Sequence, residues 1–257
     1  MSEEQKKEAY RVLARKYRPQ NFDELIGQDA LVRTLSNAIE SGRIAHAFML
    51  TGVRGVGKTT TARIIAKALN YKGPDGTSGP TTGDTSDCKL CRAISEDRHP
   101  DVIEMDAASR TGVDDIREIL DGVRYAPSEA RYKVYVIDEV HMLSKNAFNA
   151  LLKTLEEPPP HVKFIFATTE IRKVPITVLS RCQRFDLRRV DVPTLSAHYI
   201  SICAQENVAC EETAMALIAR AADGSVQDGL SILDRAISLC GDEGITAAMV
   251  EAMLGLA

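Results

Sequence analysis

The sequence predicts an α/β protein in which a parallel β-sheet is followed by a small all-helical domain. Two observations support this fold class. Up to about residue 190, short apolar runs alternate with segments of helical periodicity, a pattern typical of a parallel sheet covered by helices. Beyond that point the strand signal stops, and four helical segments follow at residues 195–206, 212–222, 227–239 and 246–254. We therefore expect an α/β domain over residues 1–188 and a helical domain over residues 189–257.

Each strand is predicted from an apolar run, and each helix from apolar residues three or four positions apart. The predicted strands are residues 45–50, 102–106, 132–137, 162–168 and 184–187. The predicted helices of the same domain are residues 30–41, 60–69, 113–123, 145–155 and 175–180, and a further helix is expected to follow Cys91 and end at Asp97. Within an insertion at residues 70–98, residues 71–87 are rich in Gly, Thr, Pro and Asp and are expected to form an exposed loop.

The composition excludes several classes of protein. With 257 residues and 44% hydrophobic side chains, the chain can bury a sizeable core. A formal net charge of −4 argues against a uniformly basic nucleic-acid binder but is compatible with a local basic strip. No run of 18 apolar residues occurs, and the charged first residues lack the apolar core of a secretory signal. Six scattered cysteines fit a reducing compartment, so we expect a cytoplasmic protein without a membrane partner.

A glycine-rich loop with the pattern G-x-x-x-x-G-K-T separates the first strand from the next helix. Glycines let successive backbone N–H groups point at one anion, and the start of the helix adds its positive dipole end. An ordinary glycine-rich turn is the alternative, and the flanking strand and helix argue against it. Lys58 would reach the β- and γ-phosphates of a nucleotide, and the Thr59 hydroxyl would bind Mg²⁺. The predicted nucleotide contacts are Gly52, Val53, Arg54, Gly55, Val56, Gly57, Lys58, Thr59 and Thr60.

Two acids follow the third predicted strand, at the carboxyl end where open α/β sheets bind ligands. Asp138 would hold Mg²⁺, and Glu139 would polarise an attacking water as a general base. An acidic strand end without a function is the alternative, and the phosphate-binding loop about 80 residues earlier favours the functional interpretation.

Two further polar positions have two interpretations each. Thr169 follows the fourth strand and could sense the γ-phosphate, or Thr168 and Thr169 could simply end the strand. Arg181 follows a short helix and could reach the phosphates of a neighbouring subunit as an arginine finger. From spacing alone, a surface salt bridge explains Arg181 equally well.

Together these motifs resemble the AAA+ ATPases of the clamp-loader group, and within it the gamma/tau family of motor subunits of bacterial DNA polymerase III. The resemblance covers about residues 10–257. It rests on the phosphate-binding loop and on residues 12–19, 106–111, 137–143, 149–159, 167–169 and 179–182.

The resemblance implies a RecA-like AAA+ domain with a three-helix lid and a P-loop ATPase that is not itself the polymerising subunit. It implies that ATP and Mg²⁺ drive the opening and loading of a ring-shaped sliding clamp at primed double-stranded/single-stranded DNA junctions. The expected partners are the delta and delta-prime subunits and other copies of this chain. By residue, it implies an adenine site bordered by Ala14 and Arg18, a first sensor at Thr169, a trans-acting Arg181, and DNA contacts at Arg110 and Lys153.

Three departures from the family pattern affect these expectations. The family's zinc module uses four cysteines, but Tyr71 and Thr85 occupy two of the positions and leave only Cys88 and Cys91. Because structural zinc needs four ligands, we expect no zinc, and a redox pair is the alternative for the two thiols.

Gln227 replaces the family's second-sensor arginine, so this nucleotide contact is expected to lack a charge. Gly112 replaces a basic residue at the start of the DNA-facing helix. The chain also stops after the lid, so we expect that the collar domain is absent.

Two other functions remain open at this stage. One is another AAA+ DNA motor, such as a Holliday-junction motor, against which residues 15–19 and 180–182 argue. The other is a nucleotide-dependent scaffold or binding module with little hydrolysis, which Gln227 and the missing collar leave possible. Lys58, Thr59, Asp138 and Glu139 are all intact, which distinguishes the site from the degenerate loop expected of a delta-prime relative.

Overall fold

The computed structural model describes residues 11–110 and 113–256. Their contacts divide into two compact units. One unit is Pro19–Arg189, and the other combines residues 11–18 with residues 190–256. The charged first residues, Thr111 and the Gly112 departure lie outside the described residues.

The first unit is built on a five-stranded parallel sheet, as predicted. Its strand order is β2-β3-β4-β1-β5, so β2, β3 and β4 lie side by side in chain order and β1 lies between β4 and β5. Every residue of β1 and β4 is buried, as expected for a parallel sheet covered on both faces. The strands are β1 (Ala47–Thr51), β2 (Val102–Asp106), β3 (Lys133–Asp138), β4 (Val162–Thr168) and β5 (Gln183–Asp186).

Helices cover both faces of this sheet. Alternate residues of each strand point to opposite faces, so Phe48 and Leu50 join one apolar layer while Met49 joins the other. The first layer contains α2 (Asp29–Glu40), α3 (Lys58–Asn70) and α4 (Lys89–Ser95). The first helix of the chain, α1 (Leu13–Lys16), belongs to the other unit. The second layer contains α5 (Val113–Val123), α6 (Lys145–Glu156) and α7 (Ile176–Leu179).

The second unit is helical, as predicted. Its described part contains α1 and four later helices, and these four are one more than the three-helix lid that the resemblance implies. Side-chain caps at Asp191, Ser225 and Thr246 accept hydrogen bonds from the first turns of three of these helices and so fix where they begin. The helices are α8 (Val192–Gln205), α9 (Glu212–Ala221), α10 (Val226–Leu239) and α11 (Ala247–Leu254).

Residues 11–18 pack with the helical unit, whereas the sequence analysis placed them in the α/β domain. Buried Leu13 lies on α1, which packs against α10. The Lys16 ammonium and the Tyr17 hydroxyl both bond to the Glu206 carboxylate at the end of α8. These partners are about 190 residues away in the chain, so no local pattern indicates them.

The insertion between α3 and α4 is irregular but only partly exposed. Residues 71–88 contain neither helix nor strand, whereas Thr85 and Cys88 are buried. The Arg131 guanidinium donates hydrogen bonds to the carbonyl oxygens of Leu69, Tyr71 and Ser78 and thereby ties the insertion to the unit.

None of the helices within residues 11–110 and 113–256 combines the length and the apolar character that a membrane span requires.

Candidate nucleotide-binding and hydrolysis site

The glycine-rich loop connects the carboxyl end of β1 to the first residue of α3, as the motif requires. Gly57 is the N-cap of α3 and has a left-handed backbone with φ of 99°. A Cβ at Gly52 would lie 2.8 Å from the carbonyl oxygen of Leu187. Because left-handed backbone and close backbone approach both favour glycine, these two positions explain the glycines of the motif.

Lys58 is a buried cation at the start of α3. Its side chain donates hydrogen bonds of 3.0 Å to the carbonyl oxygens of Gly52 and Val53. Burial lowers the pKa of Lys58, while the nearby charges of Glu139 and Asp138 act in the opposite direction. A buried ammonium at a helix start, where the first N–H groups lack helical partners, forms an anion-binding environment.

Thr59 and Asp138 lie against each other although they are 79 residues apart in the chain. The Thr59 hydroxyl donates a hydrogen bond to Asp138 Oδ2, while Oδ1 of the same carboxylate accepts one from the Glu139 amide at 2.9 Å. A hydroxyl and a carboxylate are oxygen ligands of the kind that Mg²⁺ prefers. The two side chains that were predicted to hold Mg²⁺ are therefore adjacent.

Glu139 stands between the carboxyl ends of β3 and β4. Its backbone is left-handed, with φ of 47° and ψ of 43°, a conformation that is uncommon outside glycine and clusters at functional sites. Its Oε2 accepts hydrogen bonds from the Thr169 hydroxyl at 2.9 Å and from the Thr169 amide at 3.3 Å. The predicted base and the predicted sensor are thus in direct contact.

His141 is a site residue that the sequence analysis did not assign. It is part of a 3₁₀ turn, Val140–Met142, and its side chain is 5% exposed. Its Nδ1 lies 2.9 Å from Thr168 Oγ1 and 3.3 Å from Glu139 Oε2, and its Nε2 lies 3.6 Å from Glu170 Oε1. The sequence indicates only that His141 lies two residues after Glu139. Its neighbours on β4 and in the loop after β4 cannot be inferred from the local sequence.

Arg181 makes a surface ion pair within the chain. Its guanidinium lies 2.9 Å from Glu156 Oε1 and donates a 2.7 Å hydrogen bond to the carbonyl oxygen of Thr177. Both groups of the pair are substantially exposed. This contact agrees with the salt-bridge interpretation for the single chain, and a trans-acting role stays a prediction.

The remaining predicted contacts are placed as follows. Arg110 follows β2 and Lys153 lies on α6, and both are exposed basic residues. Ala14 is in α1, Arg18 follows it, and Gln227 is in the first turn of α10, so all three belong to the helical unit.

The predicted zinc remnant has only two thiols. Cys88 and Cys91 are buried, and the Tyr71 hydroxyl donates a 3.0 Å hydrogen bond to Asp87. Burial raises the pKa of Cys91, whereas at Cys88 hydrogen bonds from the Lys72 backbone and from Cys91 outweigh burial and lower the pKa. His99 Nδ1 accepts a hydrogen bond from the Asp101 amide at 3.1 Å. The described residues hold no group of three or more potential metal-ligating side chains, so the donor set does not fit zinc.

Comparison with protein families identifies two matching models. Residues 27–191 match a model described as DNA polymerase III, delta subunit. Residues 194–242 match the ATPase lid domain of a DNA polymerase III clamp-loader subunit.

Individual relatives are named for the tau and gamma subunits. The chain is 50% identical over 247 residues to DNA polymerase III subunit tau of Salmonella typhimurium, which covers 96% of this chain and 38% of that protein. It is 46% identical over 247 residues to DNA polymerase III subunit gamma of Buchnera aphidicola subsp. Acyrthosiphon pisum. That alignment covers 96% of this chain and 67% of the gamma subunit. The chain therefore spans well under half of the tau subunit and two thirds of the gamma subunit.

A likeness of fold alone comes from the RuvB Holliday junction branch migration motor of Thermotoga maritima. That structure aligns with a TM-score of 0.69 at 21% identity and covers 93% of this chain and 72% of RuvB. It confirms the AAA+ fold that the resemblance implied. With the family models and the gamma and tau relatives taken together, the chain belongs to the tau/gamma family of DNA polymerase III clamp-loader subunits.

Proposed function

We propose that this chain binds and hydrolyses ATP as a motor subunit of a DNA polymerase III clamp loader, opening the sliding clamp and loading it at primed DNA. One observation carries the ATPase part of the proposal. The buried cation, the hydroxyl–carboxylate pair and the anchored glutamate occupy one edge of one sheet, the end where ligands of such sheets bind. The clamp-loading part rests on family membership.

Each side chain has a separate task in the proposed reaction. The Lys58 ammonium exchanges its two carbonyl partners for phosphate oxygens and neutralises their charge. Thr59 and Asp138 would hold Mg²⁺, which would supply further neutralisation of the phosphate charge. Glu139 orients the attacking water and accepts its proton, and Thr169 holds the glutamate in place.

Arg181 completes the site of a neighbouring subunit in this proposal. To do so, its guanidinium leaves the Glu156 carboxylate and stabilises the charge that develops on the neighbour's γ-phosphate. Ala14, Arg18 and Gln227 are the remaining proposed nucleotide contacts. The assembly forms in the cytoplasm from delta, delta-prime and further copies of this chain, and Arg110 and Lys153 contact the DNA backbone. A few such contacts per subunit suffice, since several subunits share one duplex.

The alternatives differ in their predicted turnover. A nucleotide-dependent scaffold would bind ATP without stimulated hydrolysis. Another DNA motor would respond to DNA but not to a sliding clamp, and the likeness to RuvB carries only the fold at 21% identity.

The test is ATP turnover of the chain in its family-length form, reconstituted with delta and delta-prime. Clamp and primed DNA are added separately and together. We expect the two together to stimulate turnover most. Stimulated turnover should be lost when every copy of this chain carries Arg181→Ala, because the finger acts on the next subunit. ATP binding without stimulation would favour the scaffold, and stimulation by DNA irrespective of the clamp would favour another motor.

A further inference from the structure

His141 is a buried polar side chain at the catalytic edge for which the proposed reaction has no role. Its ring is 5% exposed, and a buried polar ring costs free energy unless its nitrogens have partners. Both nitrogens do have polar neighbours. Nδ1 faces Thr168 Oγ1 and Glu139 Oε2, and Nε2 faces Glu170 Oε1. The ring therefore lies between the glutamate that is proposed as the base and a second acid on the loop after β4.

The second acid is itself held in place. Glu170 pairs with Lys173, whose ammonium lies 2.8 Å from Oε2, and its amide donates a 3.0 Å hydrogen bond to Thr168 Oγ1. Thr168 is fully buried at the end of β4. His141 thus has buried Thr168 on one side of its ring and the partly exposed Glu170 on the other.

The contacts of Glu139 are asymmetric. Within the described residues, the hydrogen bonds of its carboxylate all involve Oε2, and His141 Nδ1 lies 3.3 Å from the same oxygen. A carboxylate has acceptor capacity on both oxygens. With Oε2 bonded to Thr169 and His141 Nδ1 beside it, Oε1 is the oxygen that remains to orient a water.

We propose that His141 is a positioning residue for Glu139, acting through its Nδ1 on Oε2 so that Oε1 faces the attacking water. This inference rests on the proposed ATP hydrolysis. General bases need hydrogen-bond geometry to the proton that they remove, and small displacements of a catalytic group are costly. Loss of the Nδ1 contact should therefore slow the chemical step and leave nucleotide binding unchanged.

Two amide substitutions separate the two ring nitrogens. The side-chain amide of asparagine occupies the place of Nδ1, whereas that of glutamine reaches the place of Nε2. His141→Asn keeps a donor beside Glu139 and removes the contact to Glu170. His141→Gln does the reverse. In the assembly with clamp and primed DNA, we expect His141→Gln to lower kcat about tenfold at unchanged KM, a part of the general-base contribution. His141→Asn should stay within about twofold of the wild-type kcat.

His161→Gln provides the matched control. The ring of His161 also bonds through one nitrogen, 3.0 Å from the carbonyl oxygen of Val123, but it lies just before β4 at the opposite edge of the sheet. This variant should turn over like the wild type. Unfolding midpoints and the affinity for a fluorescent ATP analogue should be measured for all variants, so that misfolding or lost binding is recognised.

Coupling to Glu139 gives the decisive readout. If His141 acts only through Glu139, His141→Gln should cause no further loss when it is added to Glu139→Gln. A further loss in that background, or equal losses in His141→Asn and His141→Gln, would overturn the positioning role. Wild-type turnover that survives Lys58→Ala would instead overturn the proposed function, and this inference with it.

Discussion

The two edges of the parallel sheet each bury a lysine, but they surround it differently. At the carboxyl edge, Lys58 donates to two loop carbonyls and has Asp138 and Glu139 nearby. At the amino edge, Lys163 lies 4.9 Å from the centre of the Tyr132 ring and 3.3 Å from the carbonyl oxygen of Ile44. Burial lowers the pKa of Lys163 to about 8.

The difference between the two surroundings shows what distinguishes a ligand-binding lysine from a lysine that is merely buried. Around Lys58, a helix start, glycine backbone, a hydroxyl and two acids converge, so the lysine belongs to a set of groups able to handle phosphate. Around Lys163, the neighbours are an aromatic face and one carbonyl, which accommodate the ammonium without forming a ligand site. Burial alone is therefore a poor indicator of function, whereas convergence of unlike polar groups is a good one.

The largest expected effect comes from removing the lysine at the carboxyl edge. Lys58→Ala should lower stimulated ATP turnover at least about 100-fold, because the phosphate charge loses a preorganised partner in a water-poor site. Lys163→Met is the matched control at the other buried lysine and should leave turnover unchanged. The measurement is steady-state ATPase activity of the assembly with clamp and primed DNA. Equal losses in both variants would remove the functional distinction between the edges.

A second test concerns the acid beside that lysine. Glu139→Gln should lower turnover about 100-fold, the low end for a general base, and retain ATP binding, since the amide keeps the acceptor for Thr169 but cannot take a proton. Single-turnover hydrolysis and equilibrium binding of a fluorescent ATP analogue separate the two quantities. Weakened binding with unchanged hydrolysis would mean that Glu139 recognises the nucleotide instead.

At the amino edge, the expected effect is on stability. The pKa of Lys163 falls from 10.5 to about 8 on folding, which corresponds to a cost of about 3 kcal/mol at pH 7. Lys163→Met removes this cost together with one hydrogen bond and the contact to Tyr132, so the net gain should be about 1–2 kcal/mol. Thermal unfolding at pH 7 measures it, and a destabilised variant would show that the ammonium is well compensated.

The same substitution has a defined pH dependence. Between the folded pKa of about 8 and the unfolded value of 10.5, the unfolded chain binds more protons than the folded chain. The contribution of Lys163 to wild-type stability should therefore rise with pH across this window. Lys163→Met should lack that rise, so its advantage over the wild type should shrink towards pH 10.5.

A smaller effect is expected where a charge is added outside the sheet. Gln227, in the first turn of α10, is neutral at the position where the family carries an arginine. Gln227→Arg should tighten ATP binding about fivefold, as one charge-assisted hydrogen bond would. Titration with a fluorescent ATP analogue measures the affinity, and Gln227→Met controls for side-chain length. Unchanged affinity in the arginine variant would exclude this position from nucleotide binding.

The smallest effect is expected far from both lysines, at Cys88 and Cys91. Because two buried thiols do not make a four-ligand site, a chelator should leave the unfolding midpoint unchanged. Elemental analysis should find no stoichiometric zinc. About one zinc per chain, or a drop in the unfolding midpoint with chelator, would contradict this expectation.

Much of the fold was predictable because its signals are local. Apolar runs of the right length marked all five strands within two residues of their ends, and Pro158 follows the end of α6 closely. The assignment of residues 11–18 was not predictable, because Leu13, Lys16 and Tyr17 find their partners in helices far along the chain.

Part of the candidate site was also local. The loop motif and the acids at the end of β3 were visible as patterns of residue types, since each depends on a strand end and its immediate neighbours. The role inferred for His141 was not visible, because its neighbours Thr168 and Glu170 belong to a different strand and loop. The Arg181–Glu156 pair likewise joins α6 to the end of α7.

The sequence by itself determined which chemical groups end which strands, because strand length and side-chain type are properties of a few consecutive residues. Only the tertiary structure decided which of those ends are neighbours. The order β2-β3-β4-β1-β5 puts β4 between β1 and β3, so the loop after β1, the acids after β3 and the threonines after β4 meet at one edge. Because crossovers between parallel strands are right-handed, helices on both faces require a strand order that changes direction, and no local pattern encodes where it changes.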